Sequence, residues 1–255
     1  MPHLALLLLA AAQVEDVTFL NASGGSTAAY LVSPARRAKS PAVLFVHWYD
    51  SETTNSNRTQ FLGEAVTLAG QGVVSLLVDT MWSRIRWFPT RNPAEDSPNT
   101  RRQVEDLRRA LGFLLARPGI DPTRVAFVGH DFGAMCGALL AGQDKRVSAW
   151  VLIAGTPSFS DWYLFGSKLA GEERQKVIDQ LAPLDPVAHI ASAAPSPVLF
   201  QFGRTDRYVP EAKAKAFAEA ARSPKQILWY DAGHALDEQA VTDRLAWLQT
   251  RLKLK

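Results

Sequence analysis

Arg124-Val125-Ala126-Phe127-Val128-Gly129-His130-Asp131-Phe132-Gly133 is the stretch on which the reading of this chain turns. Residues 124–128 form a short, mostly apolar run with two valines, the composition of a strand buried on both faces. Residues 132–140 are apolar, rich in glycine and alanine, and read as a buried helix. A strand, a sharp turn and a helix give the two flanking glycines a reason. One serves the strained turn, and the other lets the helix approach neighbouring strands without a Cβ in between. This is the form of a nucleophile elbow, with Asp131 where serine is usual. Taken alone, the pattern also describes an ordinary strand-to-helix turn, so the rest of the chain has to decide.

Downstream, Pro197-Val198-Leu199-Phe200-Gln201-Phe202 reads as a buried strand running into Gly203-Arg204-Thr205-Asp206, which puts a carboxylate just past the strand end. Gln226-Ile227-Leu228-Trp229-Tyr230 reads as another strand and leads into Asp231-Ala232-Gly233-His234. Nucleophile, acid, histidine is the triad order of α/β hydrolases. Asp206 is preferred to Asp231 as the partner of His234 because its strand-end position matches that of the acid in these hydrolases.

These motifs, together with Ala42-Val43-Leu44-Phe45-Val46-His47, give the chain its resemblance to the α/β-hydrolase superfamily and, within it, to the dienelactone-hydrolase-like branch. The resemblance runs from about Val17 to the C-terminus. It implies an α/β-hydrolase fold: a mostly parallel twisted sheet, helices on both faces and a small cap. It also implies Asp131 as nucleophile, Asp206 as acid and His234 as base. Two positions depart from the branch: aspartate replaces its serine or cysteine, and Trp48 follows His47 where glycine is common.

The remaining pattern agrees with one alternating α/β domain over residues 13–255. Residues 17–20 and 28–32, split by Gly24-Gly25, read as a hairpin. Residues 43–47 and 73–78 read as interior parallel strands joined by a helix over 58–69. A helix over 100–116 places Val104, Leu107, Leu111, Leu114 and Leu115 on one face. Residues 149–153 form the next strand, and residues 236–252 a closing helix. The segment 158–194 is too long for a turn and carries Phe159, Trp162, Tyr163 and Phe165. It reads as a small cap with an aromatic underside, or else as aromatics packing the segment onto the sheet.

The chain has 255 residues, is 47% hydrophobic and 21% charged, and carries a formal charge of +3, which suits one domain with a sizeable core. The basic pairs Arg36-Arg37, Arg101-Arg102 and Arg108-Arg109 are scattered, as solvated faces are, and ask for no nucleic-acid partner. No metal-ligand spacing and no cofactor motif stand out. Residues 1–12 contain an apolar run too short to span a bilayer, with alanines before Gln13 that resemble a cleavage site. Export to the periplasm or medium is the expectation, with a cytoplasmic protein if this run is not a signal peptide. The single Cys136 forms no internal disulfide and reads as a small buried residue.

The chemistry follows from the nucleophile. A carboxylate attacking an ester forms an anhydride, which is energetically poor. Displacement at a saturated carbon, as in an epoxide or alkyl halide, gives an alkyl-enzyme ester instead, and epoxide hydrolases and haloalkane dehalogenases work this way. His234, oriented by Asp206, then activates water against that ester. The second step needs an oxyanion hole, for which the backbone N–H groups of Trp48 and Phe132 are the candidates. Tyr49, Trp82, Trp162 and Tyr163 are candidates for the small-molecule substrate pocket. Two other readings stay open: an ester or lactone hydrolase in which Asp131 is a general base, and a non-catalytic ligand-binding relative.

Overall fold

The computed structural model describes residues 12–35, 39–53 and 57–254. All of the expected export segment except Ala12, and the Arg36-Arg37 pair, lie outside the described residues. In chain order the elements are β1 (Gln13–Leu20), β2 (Ser26–Ser33), β3 (Ser40–Val46), α1 (Leu62–Gly70), β4 (Val74–Val78), α2 (Trp87–Thr90), α3 (Asp96–Leu115), β5 (Ile120–His130), α4 (Phe132–Gln143) and β6 (Ala149–Ile153). They continue with α5 (Phe159–Tyr163), α6 (Gly171–Leu181), α7 (Pro186–His189), β7 (Val198–Gly203), α8 (Glu211–Ala220), β8 (Lys225–Tyr230) and α9 (Glu238–Arg251).

The strands build one eight-stranded sheet in the order β1-β2-β4-β3-β5-β6-β7-β8. The β1–β2 hairpin is antiparallel, and β2 meets β4 antiparallel. From β4 to β8 every pairing is parallel. The interior strands β3, β4, β6 and β7 are buried at every position, which is why they read as unbroken apolar runs. At the edge, β1 is mostly exposed.

α4 is buried from Phe132 to Ala141 and has no polar face. It packs on β5 and β6 and is covered in turn by α3 and α7. α3 shows the expected amphipathic face, with Val104, Leu107, Leu111 and Leu114 buried and Leu115 half-buried against the core. It begins at Asp96, earlier than the expected residue 100, because Pro98 falls in its first turn, where no intrahelical N–H is needed. α1 and α9 pack together and are joined by a buried ion pair, in which Arg244 Nε and Nη2 donate to Glu64 at 2.6 and 2.5 Å.

Two connections leave the sheet on the side of its C-terminal strand ends. After β4, residues 79–95 make the short helix α2 flanked by tight turns, a region in which the sequence pattern gave no element. After β6, residues 158–194 carry α5, α6 and α7, and α7 packs against α4 and α8.

Candidate active site

Asp131 sits between β5 and α4 with φ 56° and ψ −119°, a backbone conformation that costs a side-chain-bearing residue about 1–3 kcal/mol. The surrounding contacts hold it there. Its N–H donates to Ile153 O at 2.9 Å, and its carbonyl accepts from Met135 N–H at 3.0 Å. The flanking glycines are sterically required: a Cβ on Gly129 would lie 2.5 Å from the Gly133 backbone, and one on Gly133 would overlap the Val46 carbonyl. α4 therefore approaches β3 and β5 as closely as it does only because both positions lack a side chain.

The two carboxylate oxygens of Asp131 have different surroundings. Oδ2 accepts from the backbone N–H of Tyr49 at 3.2 Å. The backbone N–H of Phe132, at the start of α4, also favours the ionised carboxylate. Oδ1 is buried and has no partner among the described residues. Burial pushes the Asp131 carboxyl up to about 7; the facing His234 and the two amides pull it down without cancelling that effect.

His234 lies on the loop after β8. Its Nδ1–H donates to Asp206 Oδ2 at 2.8 Å, while its Nε2 is buried and has no partner among the described residues. Asp206 is fixed in turn by the N–H groups of Tyr208 and Val209, at 2.8 and 3.1 Å from Oδ1. Asp231 instead pairs with Arg204 at 3.3 Å and is exposed. A relay ties the loops together. Trp48 N–H donates to Gln60 Oε1 at 2.9 Å, and Gln60 Nε2 donates to His130 Nδ1 at 2.7 Å. His130 Nε2–H then donates to His234 O at 2.9 Å. Burial, with the charges of His234 and Arg244, holds His130 well below the ordinary histidine value, so it stays neutral as this relay requires. His47 is pushed down to about 4 by burial; it donates from Nδ1 to Trp48 O at 2.7 Å and accepts from Ser83 Oγ at 2.8 Å.

The donor expected at Trp48 needs correcting. Its amide is taken by Gln60, a residue the sequence reading did not single out, and the amide that reaches Asp131 is that of Tyr49. Trp48 contributes its ring instead: it lies parallel to the His234 imidazole, 4° between planes and 5.6 Å between centroids.

A cavity of about 580 Å³ opens beside His234. Tyr49 and Trp162 line it, as expected, together with Trp48, Phe88, Phe165 and Tyr208, and Asp50, Glu52 and Arg207 stand among its charged residues. Trp82 and Tyr163 do not line it. Trp82 is buried with Nε1–H donating to His47 O at 3.1 Å, and the Tyr163 hydroxyl is paired with Thr100 Oγ1 at 2.8 Å. Both rings pack on Phe132 behind the site, their polar atoms already satisfied. Trp162 differs, because its Nε1–H is buried and unpartnered among the described residues. Asp131 is fully buried and is not among the residues that line this cavity. Tyr208 and Phe88 carried one sequence signal each, an aromatic two residues beyond the acid and one on the long connection after β4. Cys136 is buried in α4, and burial pushes its thiol far up, so it is no second nucleophile.

A strained aspartate at the end of one parallel strand, with a carboxylate–histidine pair from the loops after β7 and β8, defines a protein of the α/β-hydrolase class. Comparison makes this specific: the model of the alpha/beta hydrolase family matches residues 43–246, and the chain belongs to that family. Among curated relatives it is 29% identical over 146 residues to a polyketide transferase of Stachybotrys chlorohalonatus, covering 57% of this chain and 46% of that protein. It is 28% identical over 143 residues to a thiohydrolase of Arthrinium phaeospermum, covering 56% of this chain and 43% of the relative. The chain thus spans about half the length of these relatives. Among solved structures it is similar to an acetyl xylan esterase of Paenibacillus sp. R4, with TM-score 0.78, 16% identity and coverage of 96% of this chain and 85% of that one. A dienelactone hydrolase homologue of Klebsiella pneumoniae aligns with TM-score 0.69 and 17% identity over 96% and 99% of the two chains.

Proposed function

We propose that this chain is a hydrolase in which Asp131 attacks an electrophilic carbon bearing a leaving group, such as that of an alkyl halide or epoxide. The observation that carries this reading is the asymmetry of one carboxylate. Oδ2 accepts from the Tyr49 amide, while Oδ1 has no partner among the described residues. In the first step Oδ1 forms a C–O bond as the carbon–leaving-group bond breaks, and the leaving group takes the electron pair. In the second, His234 Nε2 accepts a proton from water, whose oxygen attacks the Asp131 carbonyl carbon. The charge then develops on Oδ2, which already accepts from the Tyr49 amide. Collapse releases the alcohol, protonated by His234, and regenerates the carboxylate. Trp162 Nε1–H is an unused buried donor beside His234 and suits a leaving group that departs as an anion.

The same asymmetry argues against direct ester cleavage, because the amides that would polarise a substrate carbonyl are already filled by the aspartate. A second reading, Asp131 as general base in hydrolysis of an ester, lactone or thioester, draws support from relatives named as a thiohydrolase and a polyketide transferase. A non-catalytic role is disfavoured by the His234–Asp206 pair, with its free Nε2 directed away from the acid.

The test is intact-protein mass spectrometry of His234→Gln incubated with epoxides, haloalkanes, haloacids and activated esters, with Asp131→Asn as control. Attack proceeds in this variant while hydrolysis stalls, so the expected result is an adduct on Asp131 whose mass identifies the electrophile. Turnover of esters by the wild-type protein with no adduct in the variant would favour the general-base reading.

A further inference from the structure

Resting on the hydrolase reading, we infer that the cavity beside His234 is a slot for a flat aromatic ligand whose anionic group is held at Arg207. The slot has two aromatic walls. Tyr49 and Phe88 form one, their centroids 5.9 Å apart. Trp162, Phe165 and Tyr208 form the other, with mutual centroid distances of 5.3 to 6.1 Å. Rings within each wall touch one another, Trp162 and Tyr208 in a stacked arrangement, and among the described residues no ring contact joins one wall to the other, although both line the same 580 Å³ space. Facing aromatic surfaces held apart leave a gap into which a planar π-system fits face-on or edge-on, with a gain beyond the area it buries.

Charge gives the slot a direction. Arg207 stands at the Tyr208 wall, its guanidinium 4.7 Å from that ring and one Nη donating to the Tyr208 hydroxyl. It makes no ion pair among the described residues, whereas its neighbour Arg204 is paired with Asp231. Its remaining N–H donors form the fork that suits a carboxylate. Asp50 and Glu52 border the cavity on the segment that carries Tyr49 and disfavour an anion at that end. An aryl carboxylate therefore enters one way round, with its charge at Arg207 and its ring between the walls.

Calorimetric titration of the Asp131→Asn protein tests this without any chemical step, using 2-naphthylacetate, 2-naphthylacetamide and the fully saturated decahydronaphthylacetate at pH 8. The expectation is that 2-naphthylacetate binds roughly fivefold more tightly than either analogue. Arg207→Gln should remove its advantage over the amide and leave its advantage over the saturated ring. Equal affinity for the aromatic and saturated carboxylates overturns the aromatic slot, and equal affinity for acid and amide overturns the role of Arg207. Because no covalent bond is involved, failure here leaves the Asp131 nucleophile standing, and failure of the adduct experiment leaves the slot standing.

Discussion

At the scale of single residues, Asp131 combines a strained backbone, complete burial and one unsatisfied oxygen. Only its ionised form is a nucleophile, so with a carboxyl at about 7 the rate of enzyme alkylation should rise with pH through about 7 and level off above it. In His234→Gln the same limb should move to higher pH, because the histidine's charge is among the effects that lower the Asp131 value. Rapid-quench measurement of adduct formation against pH checks both; a flat profile would remove Asp131 from the attacking role. Burial also has a cost in stability. The folded value lies above the unfolded one, near 4, so this carboxyl favours folding when protonated and loses that contribution as pH rises through about 7. Asp131→Asn should therefore be inactive yet more heat-resistant at pH 8, by up to roughly 4 kcal/mol, with little difference near pH 4. Melting curves of both proteins across that range are the measurement. Asp131, Asp206 and His234 were each legible as residues just past readable strands, and the structure pairs Asp206 with His234 at 2.8 Å. The sequence did not disclose that Tyr49 instead of Trp48 turns its amide to the elbow. That depends on Gln60, twelve residues beyond Trp48, which captures the Trp48 amide.

At the scale of elements, the cores of the interior strands were legible, β6 at 149–153 without change, because burial on both faces writes a continuous apolar run, whereas β3 starts three residues before the expected 43 and β5 spans 120–130 around the expected 124–128. The connection after β4 was not legible. It has no periodicity, and Arg91 ties its far end to the neighbouring elements: Arg91 donates from Nε to Asp96 at 3.1 Å, from Nη1 to Phe88 O at 2.8 Å and from Nη2 to Tyr163 O at 2.7 Å. Arg91 thus fastens α2, which carries the Phe88 wall, to α5, which carries Trp162. A lysine at this position keeps the charge but has a single nitrogen to offer three separated acceptors. Arg91→Lys should raise KM roughly tenfold with a smaller change in kcat, since the walls loosen while the Asp131–His234 geometry is untouched. Steady-state kinetics on the substrate found by adduct screening decide this, and a loss confined to kcat would contradict it.

At the scale of the whole molecule, the parallel sheet brings the ends of β3, β5, β7 and β8 to one edge, and each supplies one part of the site. Asp206 and His234 lie on loops after β7 and β8, the amide of Tyr49 on the loop after β3, and Asp131, the proposed nucleophile, in the turn after β5. The scaffold was therefore readable as an alternation of strands and helices, whereas the choice of chemistry resides in one side chain that the scaffold does not specify. Asp131→Ser would remove the carboxylate from the Tyr49 and Phe132 amides and leave them free to receive a substrate carbonyl oxygen, beside a histidine that already has its carboxylate. The variant should hydrolyse p-nitrophenyl acetate where the parent does not; no gain would mean that these amides are not the oxyanion donors. With Asp131 as the proposed nucleophile, a lineage built on this frame stands one residue away from exchanging alkyl for acyl substrates, and that exchange can run in either direction without rebuilding the fold.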